Sequence, residues 1–408
     1  MPKIFTDFTF FFFFLTAFTG VWMRLYPIIP NISLPYKHVL HGHSHLAILG
    51  WTFLSVVIIF LTIYWHKLKS KTEAKALIIT LFLVTLTMFL TFLYQSYGLY
   101  SIIMSTVHIF IEYWTVSFIY RSVKRIHTIP KGSKLFIYAS LISLVISSIG
   151  PFSLGYISSV GLKETFWFDI AIYFYLHFQY NGWLFLFLIG LFLIILDAKK
   201  YTIHQRLIQL GFWIYILALF PSFFASVLWM EHPPFVSTLA AIGTIGQWIA
   251  VILILASFLR ARKLLMKQNL NGIRILLGII FFILLAKSTM ELGLVTPGLA
   301  SLVFETRSVI IGYLHLTLLG FISVFILVQY TMINILPINK YTVIGFSIFL
   351  LGFTMNELLL FIQSLLTWLN IGTLSFYNPG LLIASFLLLI GIAVLWGAYS
   401  EKSVEGAK

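Results

Sequence analysis

The sequence predicts an all-α fold: a polytopic membrane bundle of twelve transmembrane helices, built as three pseudo-repeats of four. Three observations predict it. The 408 residues are 60% hydrophobic and 9% charged, with mean hydropathy +1.01, a composition outside the range of soluble domains. Apolar stretches of bilayer-spanning length, roughly 20 residues, recur along the whole chain with short gaps between them. A phrase of histidine, four residues, glycine and an aromatic recurs at His45–Gly50–Trp51, His177–Gly182–Trp183 and His315–Gly320–Phe321, at intervals of 132 and 138 residues.

The stretches lie at about 5–26, 38–65, 74–97, 99–120, 134–158, 166–196, 206–230, 235–260, 272–293, 306–335, 341–368 and 376–399. The Phe-rich start, Phe8 to Leu15, lacks a small-residue cleavage site and runs on to Trp22, so it reads as a retained first span and not a signal peptide. The gaps leave no room for a soluble domain. Residues 1–408 therefore read as a single transmembrane domain, with approximate pseudo-repeats 1–130, 131–268 and 269–408.

Charge sets the expected topology. The connections after helices 2, 4, 6, 8 and 10 carry Lys67, Lys69, Lys71 and Lys75; Arg121, Lys124, Arg125, Lys131 and Lys134; Lys199, Lys200 and Arg206; Arg260, Arg262, Lys263, Lys267 and Arg274; and Lys340. Those after odd helices carry only Arg24, Lys37, Lys163 and Arg307. The positive-inside rule places both termini and the even connections in the cytoplasm. The same asymmetry explains the net charge of +14 without a nucleic-acid partner. The chain has no cysteine, which excludes disulfides, iron–sulfur clusters and thiolate-held metals. Any metal must rest on His, carboxylate, Tyr or Met.

Topology gives the histidines a depth. Helices 2, 6 and 10 all enter from the outer face, and His45, His177 and His315 lie about 10–18 Å into them at 1.5 Å per residue. A histidine at such depth is costly and so points to function. Three at one level suggest a metal or haem site. The glycine five residues on admits a neighbouring helix or a flat ring.

Helix 2 opens with His38, His41, His43 and His45. At 100° per residue His38, His41 and His45 share a face and His43 points elsewhere. His45 reads as a ligand, with His41 or His43 supporting it or binding a second metal; His38 reads as interfacial. Helix 6 carries Tyr173, Tyr175, His177, Tyr180 and Asn181, and helix 10 carries Tyr313 and His315. In helix 4, His108 and Glu112 share a face. That pair is open to three readings: a metal ligand with a supporting carboxylate, a proton-relay station, or a self-satisfied structural pair. Lys287 and Glu291 in helix 9 read as an internal ion pair. Asn356, Glu357 and Asp169 are further candidates for proton or water paths. His232 reads as solvent-facing, and His66, His127 and His204 as loop residues without a site role.

Twelve spans, internal termini and histidines on helices 2, 6 and 10 resemble the catalytic subunit of the haem–copper oxidase superfamily, which includes the nitric oxide reductases. The run His43–Ser44–His45, followed by Gly50, is also similar to the His-x-His-x4-Gly of the NnrS family of haem- and copper-containing membrane proteins, and His315–Gly320 to that family's later His-x4-Gly. The resemblance implies an inner membrane of bacterial type. It implies His45 and His315 as axial haem ligands and His177 as a ligand to a second metal, copper or iron. It implies a diatomic gas such as nitric oxide as ligand, and a quinol or cytochrome as electron donor. Two family positions differ. Tyr313 stands where the oxidases carry the histidine of the high-spin haem, which leaves a phenolate ligand as one reading, and helix 7 lacks their adjacent histidines. Three functions are therefore open: a haem protein binding or responding to a gas; a quinol-linked nitric oxide or oxygen reductase with a second site rearranged from His177, His108, Glu112 and Tyr180; or a metal-ion or proton transporter.

Because the chain lacks cysteine, single cysteines report topology without background. An impermeant maleimide on intact cells is expected to label Glu231→Cys, and to label Lys199→Cys only after permeabilisation; the reverse pattern overturns the assignment.

Overall fold

A computed structural model describes residues 1–29, 31–259 and 271–405. Twelve helices are long and apolar enough to cross a membrane, and no strand occurs among the described residues. They are α1 (Ile4–Leu25), α2 (Tyr36–Lys67), α3 (Lys71–Gln95), α4 (Leu99–Arg125), α5 (Lys131–Ser159), α6 (Phe166–Ala198), α7 (Gln205–Val227), α8 (Pro234–Ser257), α9 (Gly272–Gly293), α10 (Arg307–Met332), α11 (Lys340–Trp368) and α12 (Tyr377–Glu401). Each expected span corresponds to one helix. The end of the eighth span at 260, with Arg260, Arg262, Lys263 and Lys267, lies outside the described residues.

Local chemistry sets several boundaries. The Ser70 hydroxyl accepts from the Glu73 amide at 3.1 Å, and Asn339 Oδ1 from the Thr342 amide at 2.9 Å, so α3 and α11 start on side-chain caps. Pro233 and Pro234 open α8, where a missing N–H costs nothing.

The chain divides into two compact units, residues 1–118 with 329–408, and residues 119–328; the boundaries fall inside α4 and α10. In the first unit the Phe-rich α1 is a core helix, with Phe10, Phe12 and Phe13 buried. Phe13 stacks on Trp51 of α2 at 3.9 Å and 5°. Asp7 Oδ1 of α1 accepts from Trp396 Nε1 of α12 at 3.0 Å.

In the second unit α7 and α8 pack backbone against backbone at Gly243. A Cβ on Gly243 would sit 2.0 Å from the Ser222 amide nitrogen. The partner there is backbone, one residue past Pro221 and just before the 3-10 turn Phe224–Val227. Gly278, on α9, has open space around its would-be Cβ.

Gly243→Ala is therefore expected to lower stability in detergent by about 1–3 kcal/mol, the scale of overpacking, while Gly278→Ala is neutral or slightly stabilising. Thermal unfolding of both variants checks this, and equal effects count against it.

Candidate functional site

The three copies of the repeated phrase fold alike. His45, His177 and His315 each end an α-helical stretch, and each is followed by a π-helical segment: Leu46–Thr52, Phe178–Leu184 and Leu316–Ser323. These are the only π-helical segments among the described residues. In π register the backbone bond joins residues five apart, the spacing from histidine to glycine in the phrase. Each extra residue turns the following helix by about 100° relative to an unbroken α-helix.

At Gly50 and Gly182 the glycine serves helix packing. A Cβ on Gly50 would lie 3.2 Å from the Phe12 ring of α1, and one on Gly182 2.6 Å from Ser143 Cβ of α5. In both copies the glycine admits a neighbouring helix, not a flat ring. Trp51, Trp183 and Phe321 are buried in protein core. The glycine and aromatic therefore give no support of their own to a macrocycle; the histidines must carry it.

In the first unit the helix 2 face is as the wheel predicts. His38 Nδ1 donates to the Leu93 carbonyl of α3 at 2.8 Å. His41 packs edge-on against Tyr97 at 4.4 Å, and the His45 ring lies tilted by 30° against Phe92 at 4.2 Å. His43 points to α1 instead: its Nδ1 donates to the Thr16 carbonyl at 3.0 Å, with the Thr19 hydroxyl at 3.1 Å. The Nδ1–H of His45 donates to the His41 carbonyl at 2.9 Å. Its Nε2 has no hydrogen-bond partner among the described residues. The ring is half-buried and lies within electrostatic range of His41 and His108. His108 is wholly buried; its Nδ1 meets Glu112 Oε1 at 2.9 Å, and its Nε2 is likewise unpartnered. His45 and His108 both lie nine residues past the starts of α2 and α4. A tethered Nδ1 with an open Nε2 is how proteins orient a histidine for a metal.

In the second unit His177 is arranged differently. Its Nε2–H donates to the Leu219 carbonyl at 2.8 Å, and Asn181 Nδ2 donates to its Nδ1 at 3.3 Å. Both ring nitrogens are engaged. Asn181 continues into a network: Nδ2 donates to Glu291 Oε1 at 3.0 Å, and Oδ1 accepts from Lys287 Nζ at 2.6 Å. Lys287 and Glu291 pair at 2.8 Å, as expected. The Tyr313 hydroxyl donates to Glu291 Oε1 at 2.6 Å, and the Tyr215 hydroxyl to the Asn181 carbonyl at 2.9 Å. The Tyr313 hydroxyl is thereby engaged by a carboxylate of α9. Tyr180 and Tyr313 lie 6.0 Å apart, with Lys287 Nζ over both rings. His315 ends the α-helical part of α10 and is half-buried.

Among the described residues no three His, Asp or Glu form a group that could hold a metal ion. Asn356 Nδ2 donates to Glu357 Oε1 at 3.1 Å, while buried Glu357 Oε2 has no partner. His232 is half-buried: Nδ1 meets the Met230 carbonyl at 2.6 Å and Nε2 the Ser237 hydroxyl at 2.7 Å. Sequence reading missed Asn181 as the hub of the network. The available signal was an amide four residues after His177, inside an otherwise apolar run. The chain matches no protein-family model, and no curated protein sequence matches it.

Removing one member of the Lys287–Glu291 pair strands a buried charge. Lys287→Met or Glu291→Gln alone is expected to cost about 3–5 kcal/mol, and the double substitution much less than their sum. Unfolding in detergent measures the cycle; additive losses would show that the two do not act as a pair.

Proposed function

We propose that the chain is a multi-pass membrane protein that binds haem, which His45 would hold through Nε2, and that it binds or responds to a diatomic gas, nitric oxide above all. One observation carries the haem reading. The His45 ring is held by Nδ1–H to the His41 carbonyl while Nε2 is left open, half-buried between aromatic rings. This donor set fits a haem iron: a neutral imidazole, oriented by its other nitrogen, walled by Phe92 and Tyr97. When bound, haem would supply electron exchange and, at an open position, gas binding. His41 fixes the tautomer of His45, and Phe92 limits rotation of its ring. The gas rests on the resemblance to the nitric oxide reductases and the NnrS family.

The residues around His177 do not fit a second metal, because both of its nitrogens are hydrogen-bonded and its nearest carboxylate network is already neutralised by Lys287. The reductase reading, which needs that metal, is correspondingly weaker. The transporter reading draws on the same buried ionisable network, since membrane-buried charges commonly mark ion paths.

Protein purified from haem-sufficient cells is expected to show a Soret band, a haem quantified as its pyridine adduct, and a spectral shift with nitric oxide. His45→Ala is expected to lose or displace the haem, and His38→Ala to retain it. Absence of haem from folded wild-type protein would sink the proposal; labile metal with uptake into proteoliposomes would favour transport.

A further inference from the structure

The Lys287 ammonium sits in surroundings that chemistry associates with the recognition of a cation. Glu291 Oε1 lies 2.8 Å and Asn181 Oδ1 2.6 Å from Nζ. The centroids of the Tyr180 and Tyr313 rings lie 5.5 Å and 5.7 Å away, within cation–π range. Three of these four groups are themselves held in place. The Tyr313 hydroxyl donates to the same carboxylate oxygen, Asn181 Nδ2 donates to it as well, and the Asn181 backbone carbonyl accepts from Tyr215. The walls come from α6 and α10, while the carboxylate and the ammonium come from one face of α9, four residues apart. A carboxylate, an amide oxygen and two aromatic faces converge on one ammonium, and nothing in that set requires the ammonium to be covalently attached to α9.

We propose that α6, α9 and α10 build a cation-binding cage for a primary ammonium, which Lys287 occupies as a tethered ligand. The bland alternative is an i, i+4 ion pair that happens to lie near two tyrosines. The two differ in what shortening Lys287 does. An ion pair leaves an orphan carboxylate in a collapsed gap. A cage leaves a cavity of the right size and charge, which a free small alkylammonium fills. The cage is independent of haem at His45, so its test separates from that of the proposed function.

The test is chemical rescue of Lys287→Ala, read by thermal unfolding in detergent. The variant is expected to unfold on the order of 5 °C or more below wild type. Ethylammonium chloride is expected to recover much of that loss saturably. Sodium chloride and tetramethylammonium chloride at equal ionic strength are not, the first lacking the N–H donors and alkyl arm and the second being donor-less and too wide. Ethylammonium is expected to leave wild type and Lys287→Ala/Glu291→Gln unchanged. Tyr180→Leu in the Lys287→Ala background is expected to weaken the rescue several-fold, and Tyr180→Phe to preserve it. Absence of saturable rescue, equal rescue by sodium, or rescue that survives loss of Glu291 overturns the proposal. If Lys287→Ala fails to accumulate, the same readout is its folded membrane yield with ethylammonium in the growth medium, and an unchanged yield overturns the proposal equally.

Discussion

Inside a bilayer every backbone amide must find its partner within the protein, and this constraint governs how a helix can redirect a side chain there. A kink that frees amides is expensive. A π turn keeps the ladder closed, with bonds five residues apart, and inserts a single residue. In this chain the device occurs directly after His45, His177 and His315. Each insertion rotates the long apolar remainder of α2, α6 or α10 against the polar segment that precedes it. The histidine can then face one set of neighbours while residues such as Phe53 to Leu61 or Phe185 to Leu196 are buried among another. The glycine closing the five-residue interval lets the adjoining helix reach the widened turn, Phe12 at Gly50 and Ser143 at Gly182.

The copies share a backbone and diverge in chemistry. Imidazole has two nitrogens, and what each one meets decides its use. At His45 one nitrogen is anchored on a backbone carbonyl and the other is open. At His177 the carbonyl of another helix and the amide of Asn181 engage both. Part of the difference lies at one position: four residues on, His177 has Asn181, which engages its Nδ1, where His45 has Leu49. Leu49 cannot hydrogen-bond, so the His45 ring finds its anchor one turn back, on the His41 carbonyl. Asn181 can, and it draws His177 into the charge network of α9.

Much of this was legible in the sequence. Twelve spans follow from apolar length, the common face of His38, His41 and His45 from helical angle, and the Lys287–Glu291 pair from opposite charges four apart. The π turns were not, because nothing local distinguishes a five-residue bond from a four-residue one except the recurrence of His-x4-Gly. The glycine's partner was equally hidden. Spacing shows that something approaches closely, but only tertiary packing reveals that Phe12 and Ser143 do. Asn181 bridges residues 106 and 110 positions away in the chain, and pairings of that range leave no periodic trace. Nor does helical angle reveal which histidine nitrogen remains open, since that depends on the rotamer and on carbonyls of other helices.

Charge neutrality ties these observations together. A carboxylate beside an imidazole deep in a membrane demands a cation, and where ligand histidines cluster a metal commonly meets that demand. Around His177 the demand is met covalently: Lys287 brings the positive charge on the same helix as Glu291, and Asn181 and Tyr313 use the carboxylate's Oε1 lone pairs and orient the amide. A second cation placed there would face the ammonium at close range without a free carboxylate to offset it. Among the described residues no lysine or carboxylate is bonded to the His45 ring, which packs beside Phe92 and Tyr97. A bare cation there would have no bonded carboxylate to balance its charge, whereas the aromatic rings offer apolar surface.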